Sequence, residues 1–291
     1  MSIYNVRVYH YPETTQYRVY KNPVYKDDKK NTASLFNLDD FIYTGLSFDE
    51  TVEEYSEFHF PYVKKYVIDD DVEILPIDEN IEKKSERAQK VASNRAKQNV
   101  YALARANVWD WFLTFTFDRE KVDSSNYDLT LKKIRKWLNN QQQRYAPDLK
   151  YLIVPELHKD GIHYHFHGLL ANCEKMKFVD SGITKKGKKI YNLESFKFGF
   201  TTASKVTDSK KVSSYIVKYI TKDLSKSLFG HHRYLASKNL DKPIVEELNL
   251  MPEEIQQIYL NIPNESYIQN KSSDYQYVTY IDFNNSNGNL S

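Results

Sequence analysis

Apolar residues recur at helical spacing in four stretches of the chain. The longest stretch has no proline or glycine, is rich in alanine and places basic residues between its apolar positions, which predicts a basic amphipathic helix. Two later stretches carry one apolar stripe among lysines, and Gly230 would end the second of them. The predicted helices cover residues 80–107, 129–145, 211–228 and a short run near 252–260.

Shorter stretches of β-branched and aromatic residues predict strands. One of them, HYHFHGLLA, alternates histidine with aromatic residues before it becomes apolar, which is typical of a strand with one polar face at its start. The strands are predicted at 109–117, 149–154 and 163–171, with strand-like pieces at 190–191 and 196–200 and short strands and loops within the first 80 residues, such as 17–21 and 62–68.

Composition places the chain among globular proteins of a reducing compartment. It has 291 residues, of which 41% are apolar and 14% aromatic, enough to form a substantial core. The one cysteine, Cys173, excludes a disulfide framework and any metal site built from several cysteines. No apolar run approaches the roughly 18–20 residues of a membrane span, and the N-terminus lacks a signal-peptide core. We expect a cytoplasmic protein with no membrane partner.

The net charge of +2 averages over regions of opposite sign, because the ends are acidic and residues 91–226 are basic. Such a distribution predicts that the middle of the chain binds a polyanion, although a solvated lysine-rich face would look the same. The segment GITKKGKK resembles a phosphate-binding loop but has Lys189 where that loop needs serine or threonine. Contact with a nucleic-acid backbone is the better interpretation. The candidate DNA-binding residues are Lys185, Lys186, Lys188, Lys189 and, on the first helix, Arg95.

Three histidines follow one another at strand spacing. His163, His165 and His167 would share one face of the strand, with Tyr164 and Phe166 on the other. Imidazoles on one face can bind a divalent metal ion that a neighbouring carboxylate completes. Glu156, at the end of the preceding strand, is the candidate carboxylate. A weaker ligand candidate is His158, and histidines without metal are the alternative.

Two tyrosines lie four residues apart on the third predicted helix. Tyr215 and Tyr219 would share one helical face, and each is followed three residues later by a lysine, Lys218 or Lys222. A phenol titrates with a pKa of ~10, so a nucleophilic tyrosine needs a base or positive charge close by. Because the chain has 24 tyrosines, packing alone is the alternative interpretation. A metal that polarises phosphate and a tyrosine that attacks it would together form a phosphoryl-transfer site.

The motifs FLTFTF at 112–117, HFH at 165–167 and YIVKYITKD at 215–223 occur in the order and approximate spacing of the three motifs of HUH endonucleases. The chain resembles, over roughly residues 95–228, the rolling-circle replication initiators of small bacteriophages and plasmids. The resemblance implies that His165 and His167 bind Mn²⁺ or Mg²⁺, with Glu156 as third ligand, and that Tyr215 and Tyr219 are the nucleophiles. His163 leaves the register of the histidine pair open, and either tyrosine could attack first.

The resemblance also implies an α+β fold with a ferredoxin-like core, in which the histidine strand is central in an antiparallel sheet and helices flank it. We divide the chain into an N-terminal extension (1–80), a nicking and joining domain (81–230) and a C-terminal extension (231–291) whose last residues we predict to be disordered.

The implied reaction is tyrosine transesterification of single-stranded or hairpin origin DNA in a bacterial host, forming a 5′-phosphotyrosine and a free 3′-hydroxyl. A host helicase and DNA polymerase would act with it indirectly. A transposase or mobilisation relaxase of the same superfamily, or a non-catalytic nucleic-acid-binding protein, are the alternatives.

Overall fold

The computed structural model describes residues 2–26, 79–220, 233–272 and 276–285. These residues form an α+β fold built on two antiparallel sheets. None of their helices is long and apolar enough to cross a membrane. The strands are β1 (Ser2–His10), β2 (Thr14–Lys26), β3 (Trp111–Phe117), β4 (Lys150–Leu157), β5 (Tyr164–Ala171), β6 (Phe178–Lys185), β7 (Lys188–Leu193), β8 (Gly199–Lys205), β9 (Leu235–Ala236), β10 (Ile244–Leu248), β11 (Tyr267–Ser272) and β12 (Tyr277–Asn284). The helices are α1 (Glu79–Ala106), α2 (Tyr127–Arg144), α3 (Ser209–Ile216) and α4 (Pro252–Leu260).

The larger sheet has seven strands in the order β6-β7-β8-β3-β5-β4-β9, with β3 and β5 in its interior. Odd-numbered residues of β3, Leu113 and Phe115 among them, point into an aromatic core. Helix α2 covers this face with Ile134 and Trp137, and Asn126 caps its first turn by accepting a hydrogen bond from the Leu129 amide. This face of the sheet is therefore closed to solvent at its centre.

The opposite face of the same sheet is only partly covered. Helix α1 packs there with Val100 and Leu103, and α3 contributes Ile216, against Leu152 of β4 and Leu169 of β5. The apolar stripe predicted for the first helix is the side that makes this contact, and the helix continues without a break to Ala106. Residues of β8, β7 and β6 on this face remain exposed.

The two ends of the chain together form the second sheet, whose strand order is β10-β1-β2-β12-β11. Val6 and Val8 of β1 face α4, which packs on them through Ile255 and Ile258. The strands at the N-terminus therefore depend on strands near the C-terminus for their hydrogen bonds, with β12 beside β2 and β10 beside β1.

A buried ion pair joins the second sheet to α1. Arg105, in the last turn of α1, lies 2.6 Å from Asp282 of β12, and both side chains are almost fully buried. Arg105 also donates hydrogen bonds to Tyr101 and to Thr14 of β2. An arginine in this position needs its partners, because an unpaired buried charge is costly.

The structure changes two predicted elements. The predicted helix 211–228 is instead a short helix, α3, followed by a single 3₁₀ turn, Val217–Tyr219; its predicted continuation after Ile220 lies outside the described residues. The strand-like piece 196–200 is mostly a turn, because Phe196 is drawn into the aromatic core and β8 begins only at Gly199. The predicted strand 62–68 and the C-terminal residues predicted to be disordered also lie outside the described residues.

The GITKKGKK segment forms a β-hairpin. Lys186 and Gly187 both have positive φ and connect β6 directly to β7, with Lys185 paired to Lys188. This is the backbone of a tight two-residue hairpin turn, in which glycine accommodates the left-handed conformation. A strand rather than a helix follows the turn, so the segment lacks the helix N-terminus on which a nucleotide-binding phosphate loop depends.

We expect Asp282→Asn to lower the free energy of unfolding by about 3–5 kcal/mol, because it leaves Arg105 buried without a counter-charge. Urea denaturation followed by circular dichroism measures this difference. The control is Glu194→Gln, which removes the exposed pair between Lys177 and Glu194 and should leave the midpoint unchanged. Equal midpoints for the two variants would contradict the role assigned to the buried pair.

Candidate functional site

The histidine strand and its neighbour β3 expose polar side chains on the same face of the sheet. Thr114 of β3 pairs directly with His167 of β5, and Phe115 pairs with Phe166. Because side chains alternate along each strand, His165 and Thr116 fall on the face of His167, while the phenylalanines enter the aromatic core. Strand register alone therefore collects two threonines and two histidines at one place.

Each of these histidines is held by a threonine of β3. The Thr114 hydroxyl oxygen lies 3.0 Å from Nδ1 of His167, and the Thr116 hydroxyl oxygen lies 3.2 Å from Nδ1 of His165. Hydrogen bonding at one ring nitrogen decides which face and which tautomer an imidazole presents with the other. Both histidines are thus oriented with Nε2 available for another interaction.

Glu156 completes the cluster from β4. It pairs with His165 across the strands, and its Oε2 lies 2.6 Å from Nε2 of His167. Partial burial raises the pKa of this carboxyl group, but the hydrogen bond with His167 and the charges of the nearby histidines outweigh it, so the net pKa is lowered. Glu156 is therefore an anion at neutral pH, beside two imidazoles.

The other two histidines occupy the turn between β4 and β5. Asp160 lies 2.7 Å from Nδ1 of His163 and 3.2 Å from Nδ1 of His158. The His158 ring stacks on His165 with 4.9 Å between ring centres, whereas Asp160 holds His163 within the turn. Backbone amides of His163 and Ile162 hydrogen bond to Asp160 and lower its pKa.

Both tyrosines lie over the histidine pair. The Tyr219 ring stacks on His167 with 3.4 Å between ring centres, and Tyr215 meets Tyr219 edge-on at 5.5 Å. The predicted arrangement, with both phenols on one face of an α-helix, is replaced by a helical Tyr215 and a Tyr219 in the following 3₁₀ turn. Phe112 of β3 supports both rings from below.

The two phenols have different surroundings. Tyr215 is 44% exposed, and the Lys218 ammonium lies 5.2 Å from its ring centre. Tyr219 is half-buried, and its pKa is raised by burial, by a hydrogen bond with Tyr215 and by the charge of Glu156. Tyr219 is consequently a neutral phenol at physiological pH, and Tyr215 is the phenol that a solvent-borne substrate can reach.

The remaining predicted site residues lie farther from the histidines. Lys185, Lys186, Lys188 and Lys189 are exposed around the β6–β7 turn at the edge of the sheet. Arg95 is half-buried in the middle of α1. Lys222 lies outside the described residues.

A cation site is not preformed in the parts of the chain that the structure describes. Within them, no group of three or more His, Cys, Asp and Glu side chains is arranged to hold an ion. Glu156 and His167 instead hydrogen bond to each other. The donor types are nonetheless those that a divalent metal takes, two imidazole nitrogens and a carboxylate. Binding of Mn²⁺ or Mg²⁺ stays a prediction.

Sequence reasoning assigned no role to Thr114 and Thr116, although both lie in the FLTFTF motif. The signal was present as alternation of threonine with aromatic residues, which places both hydroxyl groups on one strand face. What the alternation could not reveal is that β5 is the neighbouring strand and that its histidines lie on the same face. That proximity depends on the register between two strands far apart in the sequence.

We expect His165 to titrate below the ordinary histidine value of about 6.5, because partial burial and the positive charge of protonated His158 lower its pKa. His158→Ala should raise the midpoint, since it removes the charge and admits water. Proton NMR titration of the metal-free protein measures both midpoints. The control is His163→Ala, which should leave the midpoint of His165 in place; a midpoint insensitive to His158→Ala would contradict the interpretation.

Residues 110–224 match a family model of replication-associated proteins, the ORF2 family. The matched segment is less than half of the chain, and it contains β3, the histidine strand and the tyrosine turn. No curated protein and no solved structure matches the chain. The segment that carries the candidate site is therefore similar to replication-associated proteins, which supports a role in the initiation of replication.

Proposed function

We propose that this protein is a rolling-circle replication initiator of the HUH type, with a ferredoxin-like core, that nicks and rejoins single-stranded DNA. The observation that carries the proposal is the contact between Tyr219 and His167, whose ring centres are 3.4 Å apart. It brings a pair of phenols to a pair of imidazoles on a sheet whose sequence segment is similar to replication-associated proteins. Neither a phenol pair nor a histidine pair alone would indicate this chemistry.

His165, His167 and Glu156 would hold the divalent metal. When bound, Mn²⁺ or Mg²⁺ would polarise the non-bridging oxygens of the scissile phosphate. The threonine hydroxyl groups at both Nδ1 atoms support this assignment, because metal-binding histidines characteristically have a hydrogen-bond partner at the second nitrogen. His158 and His163 interact with Asp160 and are the weaker ligand candidates.

The covalent step conserves one phosphodiester linkage. The phenol oxygen of a tyrosine forms a bond to phosphorus as the bond to the 3′-oxygen breaks, so the 5′-phosphate becomes attached to the protein. The phenol loses its proton and the departing 3′-oxygen gains one. No nucleotide hydrolysis is required, and a second 3′-hydroxyl can reverse the step to join strands.

We assign the first attack to Tyr215. It is the exposed phenol, and Lys218 places a positive charge 5.2 Å from its ring centre, where an anionic phenolate or phosphate would be stabilised. Tyr219, whose pKa is raised, would act in the second cleavage after DNA has occupied Tyr215. Lys222 would have for Tyr219 the role that Lys218 has for Tyr215.

The lysines of the β6–β7 turn and Arg95 would bind the phosphate backbone. Such contacts would position origin DNA without reading its sequence. Host helicase and polymerase activities would supply unwinding and extension, and the expected compartment is the bacterial cytoplasm. The similarity to replication-associated proteins favours this function over a transposase or a relaxase.

The proposal predicts a covalent adduct that denaturing gels can resolve. Labelled single-stranded oligonucleotides of random sequence, mixed with the protein and Mn²⁺, should give a product of slower mobility that EDTA abolishes. Tyr215→Phe should lose the adduct, because it removes the exposed nucleophile. Tyr219→Phe should retain first-strand attachment and lose strand rejoining.

The matched control is Tyr145→Phe, because Tyr145 is 45% exposed, almost as exposed as Tyr215, and lies at the end of α2. It should leave the adduct intact. DNA binding that is indifferent to EDTA and gives no adduct, with the genomic DNA of the replicon as well as the pool, would instead favour a non-catalytic binding protein.

The threonines allow a second test, on metal affinity. Thr114→Val and Thr116→Val keep side-chain shape but remove the hydrogen bonds to the histidines, and each should weaken Mn²⁺ binding about 10- to 100-fold. Electron paramagnetic resonance of free Mn²⁺ measures this without any reaction. Thr202→Val is the control, because Thr202 pairs with Thr114 from β8 but is exposed. Unchanged affinity in the first two variants would show that the threonines do not position metal ligands.

A further inference from the structure

One large apolar side chain stands in solvent beside the histidine pair. Phe200 of β8 is 61% exposed, although Phe196 and Phe198 just before it pack in or against the aromatic core. Strand alternation explains the difference: Thr201 and Ala203 are buried on the core face, so Phe200 must point to the opposite face.

That opposite face is the face of the candidate site. Phe200 pairs directly with Thr116 of β3, and the Thr116 hydroxyl is 3.2 Å from His165. Two strand spacings, each about 4.8 Å, therefore separate Phe200 from His165. A base adjacent to a phosphate held at the histidines could reach the phenylalanine ring.

The exposed surface continues from Phe200 toward the edge of the sheet. Thr202 follows on the same face of β8, and the pairing of Tyr191 with Ala203 puts Asn192 of β7 on that face as well. Asn192 in turn pairs with Val179 of β6, which is 43% exposed. These four side chains are uncharged and lead from the histidines to the two strands whose turn carries four lysines.

We propose that this strip, Phe200, Thr202, Asn192 and Val179, binds the single-stranded DNA that flanks the scissile phosphate, with Phe200 stacking on an unpaired base. The inference rests on the proposed function and adds the path of the substrate and the residue that holds it. Aromatic rings bind bases of any sequence, because every base has a flat π face. The lysine turn at the end of the strip supplies the positive charge that the DNA backbone requires.

The test separates base contacts from phosphate contacts. Fluorescence anisotropy would compare a short labelled oligothymidylate with an abasic deoxyribose-phosphate chain of the same length, in EDTA and at fixed salt. The intact protein should bind the oligothymidylate more tightly. Phe200→Ala should weaken that binding about 5- to 150-fold, the effect of losing one base–aromatic stack, and should leave binding of the abasic chain unchanged.

Two further variants serve as controls. Phe200→Trp should retain the affinity because it keeps a stacking surface, and Tyr145→Ala should retain it because Tyr145 lies at the end of α2, on the helix that covers the other face of the sheet. Equal oligothymidylate affinity of the Phe200→Ala variant and the intact protein would overturn the proposal. So would a self-associating protein, detected by sedimentation, whose dimer rather than DNA affinity depends on Phe200.

The adduct assay in the same variants distinguishes this proposal from the proposed function. Adduct formation with no effect of Phe200→Ala on binding would remove only the stacking role. Binding that depends on Phe200, without an adduct in the intact protein, would support the strip and overturn the nuclease function.

Discussion

The register between β3 and β5 is the constraint on which the candidate site depends. With Thr114 opposite His167, aromatic residues of both strands enter the core while threonines and histidines share the other face. A slip of one residue would turn hydroxyl and imidazole groups into the aromatic core and expose phenylalanines to water. The free energy of burying Phe115 and Phe166 therefore also fixes the positions of the site residues.

Packing between the strands strengthens the same register. Gly168 lies where an added Cβ would come within 3.1 Å of Ile153 and 3.3 Å of Phe115, so the residue after His167 has little room for a side chain. The other end of the interior is narrow too, because a Cβ at Gly199 would collide with the backbone of Thr116 and Asp118. Glycine at these two positions permits the strands to approach where the histidines and threonines meet.

The second sheet explains why the two ends of the chain remain associated with the central segment. Strands β1 and β2 pair with β10 and β12, and Arg105 connects α1 with Asp282 at the heart of that sheet. Since α1 also packs on the face that carries the histidines, through Val100 and Leu103, this ion pair links the second sheet to the scaffold of the candidate site. The segment similar to replication-associated proteins is thus only part of a larger structural unit.

Local pattern was sufficient to predict the elements that carry the site, because periodicities of 2 and 3.6 residues belong to neighbouring residues in the chain. It predicted the histidine strand, the helix at residues 79–106 and the proximity of Tyr215 and Tyr219. It could not predict that Thr116 contacts His165, that Tyr219 stacks on His167, or that Phe200 stands on the same face. Those contacts join strands and turns far apart in sequence, and burial of the aromatic core, rather than any local preference, selects the register that creates them.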